Sequence, residues 1–387
     1  MKRRDFLAVA AFGAAACRTI HSASGAAAAA SSPALRHIVV YAEADRFAGW
    51  PANNGVWIWE GKEILVGFVS GGYKQQSGHN IVEPYRCLLA RSRDGGETWA
   101  VEDPADFVGH GGAPTPLRNP IDFTRPGFAM RVVGTAYHGS DQERGAFFYS
   151  CDRGRTWHGP RTFGALADHP KLKDLHLTPR TDYLVEDPTS CLIFLSARDP
   201  RKAGFSDRIF GARTTDGGRT FEFVSWVVPF SDPYRAVMPS TVRCSPKRLV
   251  TAVRRRAVPE DRCWIDAYAS EDTGKTWTPA SKVGDTGNRN GNPPALARLE
   301  DGRLCCVYGN RTTQRILARI SRDEGHTWDD EIVLRGAPAS APPADPDIGY
   351  PRLVQRADGK MVALYYWASE THPQQHIAAT IWDPGKA

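Results

Sequence analysis

Short runs in which apolar residues alternate with polar ones, or stand almost unbroken, recur along this chain, and Gly, Asp or Pro ends each of them. Tyr85-Arg86-Cys87-Leu88-Leu89-Ala90 and Ile316-Leu317-Ala318-Arg319-Ile320 are typical. Runs of this length with a two-residue period predict half-buried or buried strands rather than helices. Directly after such runs stands one pattern, Ser/Thr-x-Asp-x-Gly-x-Thr-Trp/Phe, in five copies: Ser92 to Trp99, Ser150 to Trp157, Thr214 to Phe221, Ser270 to Trp277 and Ser321 to Trp328. Their starts lie 58, 64, 56 and 51 residues apart, which leaves room for about four short strands per copy. The pattern has a physical reading: Asp accepts hydrogen bonds from backbone N–H groups a few residues on, Gly takes a positive φ, and the aromatic residue anchors the turn.

A second repeat leads each unit. Trp50-Pro51-Ala52, Met238-Pro239-Ser240, Pro293-Pro294-Ala295 and Tyr350-Pro351-Arg352 open strands, and Asp301-Gly302 and Asp358-Gly359 turns follow Pro294 and Pro351 at the same offset of seven residues. Two motifs in register over residues 34–387 predict one all-β domain, a six-bladed β-propeller, whose last unit lacks the Asp-containing turn but keeps its strands.

The first 32 residues are compositionally separate. Lys2-Arg3-Arg4-Asp5-Phe6-Leu7 precedes a mild apolar run from Ala8 to Ala16 and an Ala/Ser-rich stretch, and the segment resembles a bacterial twin-arginine export signal. The apolar run is far shorter than the roughly 20 residues of a membrane span. The expectation is a periplasmic or secreted protein without a membrane span, with Cys17 as a weak candidate for lipid anchoring. The chain carries +6 overall, and the leader supplies half of that. The remaining body is too nearly neutral for a nucleic-acid footprint. Eight cysteines without a CxxC pair read as buried thiols. No Walker loop, dinucleotide fingerprint or HExxH is present, so neither cofactor nor metal is expected.

The five turns resemble the aspartate boxes of the sialidase (neuraminidase) superfamily. The stretches Gly49-Trp50-Pro51-Ala52-Asn53, Met238 to Arg243, Gly291-Asn292-Pro293-Pro294 and Gly349 to Gln355 are similar to bacterial exported sialidase-like proteins. Boxes of this kind imply the fold strongly and the chemistry weakly. In a propeller the innermost strands converge on one mouth, so their opening residues meet although distant in sequence. Here those residues include Arg46, Trp50, Arg180, Asp182, Arg243 and Asn292, with Arg254 and Arg311 ending neighbouring strands. Arginine with aromatics suits an acidic sugar, because guanidinium forks bind carboxylate and rings stack on the sugar face.

The resemblance implies that Tyr350, opening the last blade, is the nucleophile of a glycosidase that cleaves a terminal acidic sugar, sialic acid by default. It implies that Arg254 and Arg311 are two members of an arginine clamp. Departures are visible. Gly49 stands where the family has its first arginine, with Arg46 nearby; no carboxylate stands near Met238, so that Asp345 or Asp347 must act as base to Tyr350. His79 or Glu83 must replace the missing acid/base aspartate. Two alternatives stay open: a uronate-directed glycosidase or lyase using Tyr350 and His79, and a non-catalytic propeller that binds an acidic glycan.

Overall fold

The computed structural model describes residues 34–385 except 105–106, 108–112, 135–143, 179, 203–205, 259, 289 and 337–346. The export segment with Cys17, and Asp345, lie outside the described residues. Six antiparallel sheets follow one another along the chain as the blades of a β-propeller. The first blade combines Arg46–Gly49, Val56–Trp59, Glu63–Tyr73, Ile81–Ser92 and Ala100–Glu102, and the second holds Ala129–Val133, Ala146–Ser150 and His158–Arg161. The fourth is the most regular: Arg235–Arg243, Leu249–Ala257, Arg262–Ser270 and Thr278–Gly287 pair in sequence order. In the sixth, Gly349–Gln355, Met361–Trp367 and His376–Trp382 are completed by Arg36–Tyr41, which pairs with His376–Trp382. The first strand of the chain therefore closes the last blade.

Each Asp-containing turn locks its own hairpin and also joins two blades. The Asp94 carboxylate accepts from the N–H groups of Glu97 (3.0 Å) and Thr98 (2.9 Å) and from the Thr98 hydroxyl, while the Trp99 indole donates to the Gly96 carbonyl at 2.9 Å. Asp152, Asp216, Asp272 and Asp323 receive the N–H and hydroxyl of their own Thr in the same way. The glycine two residues after the Asp sits against the preceding blade: a Cβ at Gly154 would meet Leu65 at 2.3 Å. Only a residue without a side chain allows that approach. Gly274 also faces the preceding blade, at Leu192, and Trp157 packs on Trp57 with ring centroids 5.4 Å apart.

Adjacent cysteines illustrate how strand alternation fills the gaps between blades. Cys305 is buried with Met361 and Tyr365 of the sixth blade, and Cys306 with Val250 and Ile265 of the fourth. The described cysteines are all free thiols, five of the seven buried. No helix among the described residues is long and apolar enough to cross a membrane.

Candidate active site

Three positions on or beside the inner strands share the same unusual step. Trp50, Met238 and Tyr350 each precede a proline and each takes a left-handed conformation, with φ of 62°, 56° and 49°. Non-glycine residues there cost about 1–3 kcal/mol each, and such strain persists where the surroundings enforce it. At Met238 and Tyr350 the strand pairing slips between Val237 and Ser240 and between Gly349 and Arg352, so each is the extra residue of a bulge. Bulges re-aim side chains, here into the hub. Buried Asn292 holds the strained segment, its Oδ1 accepting the Tyr350 N–H at 2.8 Å.

Around Tyr350 the fold gathers groups far apart in sequence. Arg254, within the second strand of the fourth blade, donates from Nη1 to the Tyr350 hydroxyl at 3.0 Å. Its Nε donates to the Asn290 carbonyl at 2.9 Å, Nη2 also reaches that carbonyl, and Nη1 lies 3.5 Å from the Met238 sulfur. The Arg311 guanidinium stands 5.7 Å from the Tyr350 ring centre and donates from Nη2 to Asp347 at 3.0 Å and to the Tyr366 hydroxyl at 2.8 Å. Tyr366 in turn donates to Asp347. His79 Nδ1 is 3.0 Å from both Asp347 oxygens, and its ring meets Trp50 edge-on at 4.9 Å and Tyr350 at 6.2 Å.

These contacts set protonation. Burial alone would raise the Asp347 pKa, but the His79 hydrogen bond and the Arg311 charge hold it below the usual carboxylate range. An ionised Asp347 only accepts, so His79 donates from Nδ1 and its Nε2 is the nitrogen left for a ligand. Burial would likewise raise the Tyr350 phenol; the charges of Arg254, His79 and Arg311 and the Arg254 hydrogen bond overcome it and bring the pKa from 10.0 down to about 7. Tyr366 beside it moves the other way, well above the ordinary phenol value, through burial.

Of the sequence candidates, Tyr350, Trp50, His79, Asp347, Arg254, Arg311 and Asn292 come together. Asp182 and Arg180 do not join this cluster. Asp182 is buried against Thr241, whose hydroxyl donates to it at 2.8 Å, and burial raises its carboxyl to about 7. Arg352 from the sixth blade donates to the carbonyls of Ala52 in the first and Thr181 in the third, a combination that marks the central axis. Arg180 lies within electrostatic reach of the buried Arg131 of the second blade.

Three further candidates also stand apart from the cluster. Arg243 occupies the far end of the strand that Met238 helps to open, roughly 15 Å along at strand rise, and pairs with Glu186 at 2.8 Å. Arg46 donates from Nε to Ser70 at 3.1 Å beside Glu43. Glu83 is exposed and makes no hydrogen bond or ion pair with the cluster among the described residues. Tyr366 was not foreseen as a site residue. Its signal was the pairing parity of the last blade, where it faces Gly349. Among the described residues no group of three or more His, Cys, Asp or Glu side chains is placed to hold a metal ion.

Comparison with known proteins bears on the whole ring. The BNR repeat-like domain matches residues 115–363. No curated protein matches the sequence. Among solved structures, a protein of unknown function from Dyadobacter fermentans DSM 18053 superposes with a TM-score of 0.69 at 22% identity, over 90% of this chain and 99% of its own. The Hadza microbial sialidase Hz136 follows at 0.59 and 16%, over 88% and 66%. The Penicillium chrysogenum alpha-L-arabinanase gives 0.56 and 13%, over 90% and 97%. At these identities the likeness establishes the fold. With the repeat-like domain spanning well over half of its length, the chain belongs to the BNR repeat-like family and is a sialidase-like BNR-repeat propeller.

Proposed function

We propose that this protein is a glycoside hydrolase that cleaves a terminal sugar with Tyr350 as nucleophile and His79 as acid/base. The single observation behind this reading is the Tyr350 hydroxyl, hydrogen-bonded to Arg254 at 3.0 Å and brought to a pKa of about 7. A phenol of ordinary pKa is a weak nucleophile that needs a base. Here Met238 stands where the superfamily has that base, and fixed positive charge replaces it. The phenolate attacks the anomeric carbon while the glycosidic C–O bond breaks, and the leaving oxygen takes the proton from His79 Nε2. In the second half, His79 removes a proton from water, which displaces Tyr350 and regenerates the phenolate. Asp347 orients the imidazole throughout and stabilises its charged form.

An acidic sugar, with sialic acid as the default, is the first substrate reading, because two guanidiniums flank the nucleophile. A second reading, a neutral sugar, is favoured by how those guanidiniums are spent: Arg254 is committed to Asn290 and Tyr350, and Arg311 to Asp347 and Tyr366. Neither offers an open fork to a carboxylate. The neutral reading also draws on the arabinanase among the similar folds. We infer a periplasmic or secreted activity from the resemblance of the first 32 residues to a twin-arginine export signal.

The test is turnover of aryl sialosides, uronides and arabinofuranosides, followed by trapping with a fluorinated glycosyl fluoride and peptide mass spectrometry. The reading expects a glycosyl adduct on the peptide containing Tyr350, absent from Tyr350→Phe. An adduct elsewhere overturns it. An unsaturated, ultraviolet-absorbing product from a uronide supports a lyase. Binding without turnover, abolished by Arg254→Ala, supports a glycan-binding propeller.

A further inference from the structure

Many arginines of this chain reach a carboxylate: Arg91, Arg153, Arg213, Arg248, Arg255 and Arg356 do so, several of them twice. Among the described residues Arg118 and Arg161 do not, and they share one cleft. Residues 113–123 run along the outer edge of the second blade, where Thr115 bridges Arg161 of the outermost strand, and then cross to the third blade, where the Ile121 N–H donates to Gly217 at 2.9 Å. Between this segment and the blade opens a cleft of about 570 Å³, lined by Thr115, Leu117, Arg118, Asn119, Tyr149 and Arg161 together with Pro116. That volume lies within the range of small-ligand sites.

Among the described residues the cleft is lined by two guanidiniums and no carboxylate. Arg161 donates from Nη1 to the Thr115 hydroxyl at 2.6 Å, and its Nε has no hydrogen-bond partner. Arg118 makes neither an ion pair nor a hydrogen bond among the described residues. One wall is apolar, from buried Leu117 and the half-buried Tyr149 ring, which His158 backs at 5.2 Å. Like charges without a counter-ion repel, and a concave, low-dielectric wall strengthens that repulsion. The arrangement is relieved by an anion, and guanidinium forks select planar or tetrahedral oxyanions.

We propose that this cleft binds an acidic saccharide unit, with Arg118 and Arg161 on its carboxylate or sulfate, Asn119 on a hydroxyl and the Tyr149 ring against the sugar face. It lies on the outer strand of the second blade and shares no residue with the Tyr350 cluster, so it stands whether or not the hub is catalytic. Such a site holds an acidic polymer on the ring while its end is elsewhere.

The test is calorimetric titration of the full chain with trigalacturonate, with its methyl ester as uncharged control, and with a sulfated chondroitin disaccharide. Binding of either acid form is expected. Methyl esterification, Arg118→Ala and Arg161→Gln should each weaken it at least tenfold, added salt should weaken it further, and Tyr350→Phe should leave it unchanged. The tighter of the two acids identifies the group recognised. Arg118 is exposed, so its variant reports on the cleft even if Arg161→Gln disturbs the blade. Absence of binding by all acidic probes overturns the proposal, as does binding that survives both arginine variants or disappears in Arg254→Ala.

Discussion

Replacing Arg254 by Gln removes the charge that, after burial, weighs most on Tyr350. The fall of the phenol from 10.0 to about 7 corresponds to roughly 4 kcal/mol in favour of the phenolate, at about 1.4 kcal/mol per unit. Without Arg254 the burial penalty is opposed only by His79 and Arg311, and the phenol rises toward its ordinary value. At neutral pH the ionised fraction then drops from about half toward about one in a thousand, and kcat/KM falls in proportion, by up to about 500-fold. The loss should shrink as pH rises, whereas Tyr350→Phe should stay inactive at every pH. Twelve tyrosines are present, so tyrosinate absorbance is read as the difference between wild type and Tyr350→Phe, with kcat/KM followed over the same pH range. A midpoint unmoved in Arg254→Gln, in a variant of native circular dichroism, would refute electrostatic activation of the phenol.

His79→Ala should depress turnover of glycosides with poor leaving groups by about 10²–10⁴-fold and that of dinitrophenyl glycosides far less, as steady-state rates on both will reveal. Asp182 has a raised folded-state pKa of about 7. Its contribution to stability is therefore full below the unfolded value and is lost as pH rises through 7. Urea unfolding between pH 4 and pH 8 should show a downward slope that Asp182→Asn flattens. Asp94 is the opposite case, with its carboxyl lowered to about 2 by the turn; its stabilisation is present above pH 4 and lost as pH falls through 2. Asp94→Ala should cost about 1–2 kcal/mol at neutral pH, seen as a lower thermal midpoint. Arg3→Lys together with Arg4→Lys should retain the protein in the cytoplasm, as fractionation will test.

The architecture was legible because its punctuation is local. Asp94 and its four counterparts satisfy bonds within five residues, so the motif spells its own geometry, and its spacing counts the blades. Interruptions were less legible. Trp50-Pro51 reads as a strand opening, yet Pro51–Asn54 forms a helical turn between two short strands of the first blade. The clustering of Tyr350, Arg254 and Arg311 was readable from their places along an inner strand or its neighbour. Legibility failed where strand length decided. Arg243 shares a strand with Met238, and only the observed pairing with Leu249 places it at the opposite end. His79 and Glu83 were equivalent by sequence. The turn that brings His79 onto Asp347 leaves Glu83 facing solvent, and no local pattern distinguishes the two.

Tyr350, the proposed nucleophile, sits in the blade that combines the first and the last described strands. Until Arg36–Tyr41 has found His376–Trp382, the sheet beneath Tyr350 lacks its outer member. A nascent or truncated polypeptide therefore has the residues of the site without the seam that fixes them. On the proposed reading, deleting Arg36–Tyr41 should abolish turnover although every residue of the cluster is still present in the sequence.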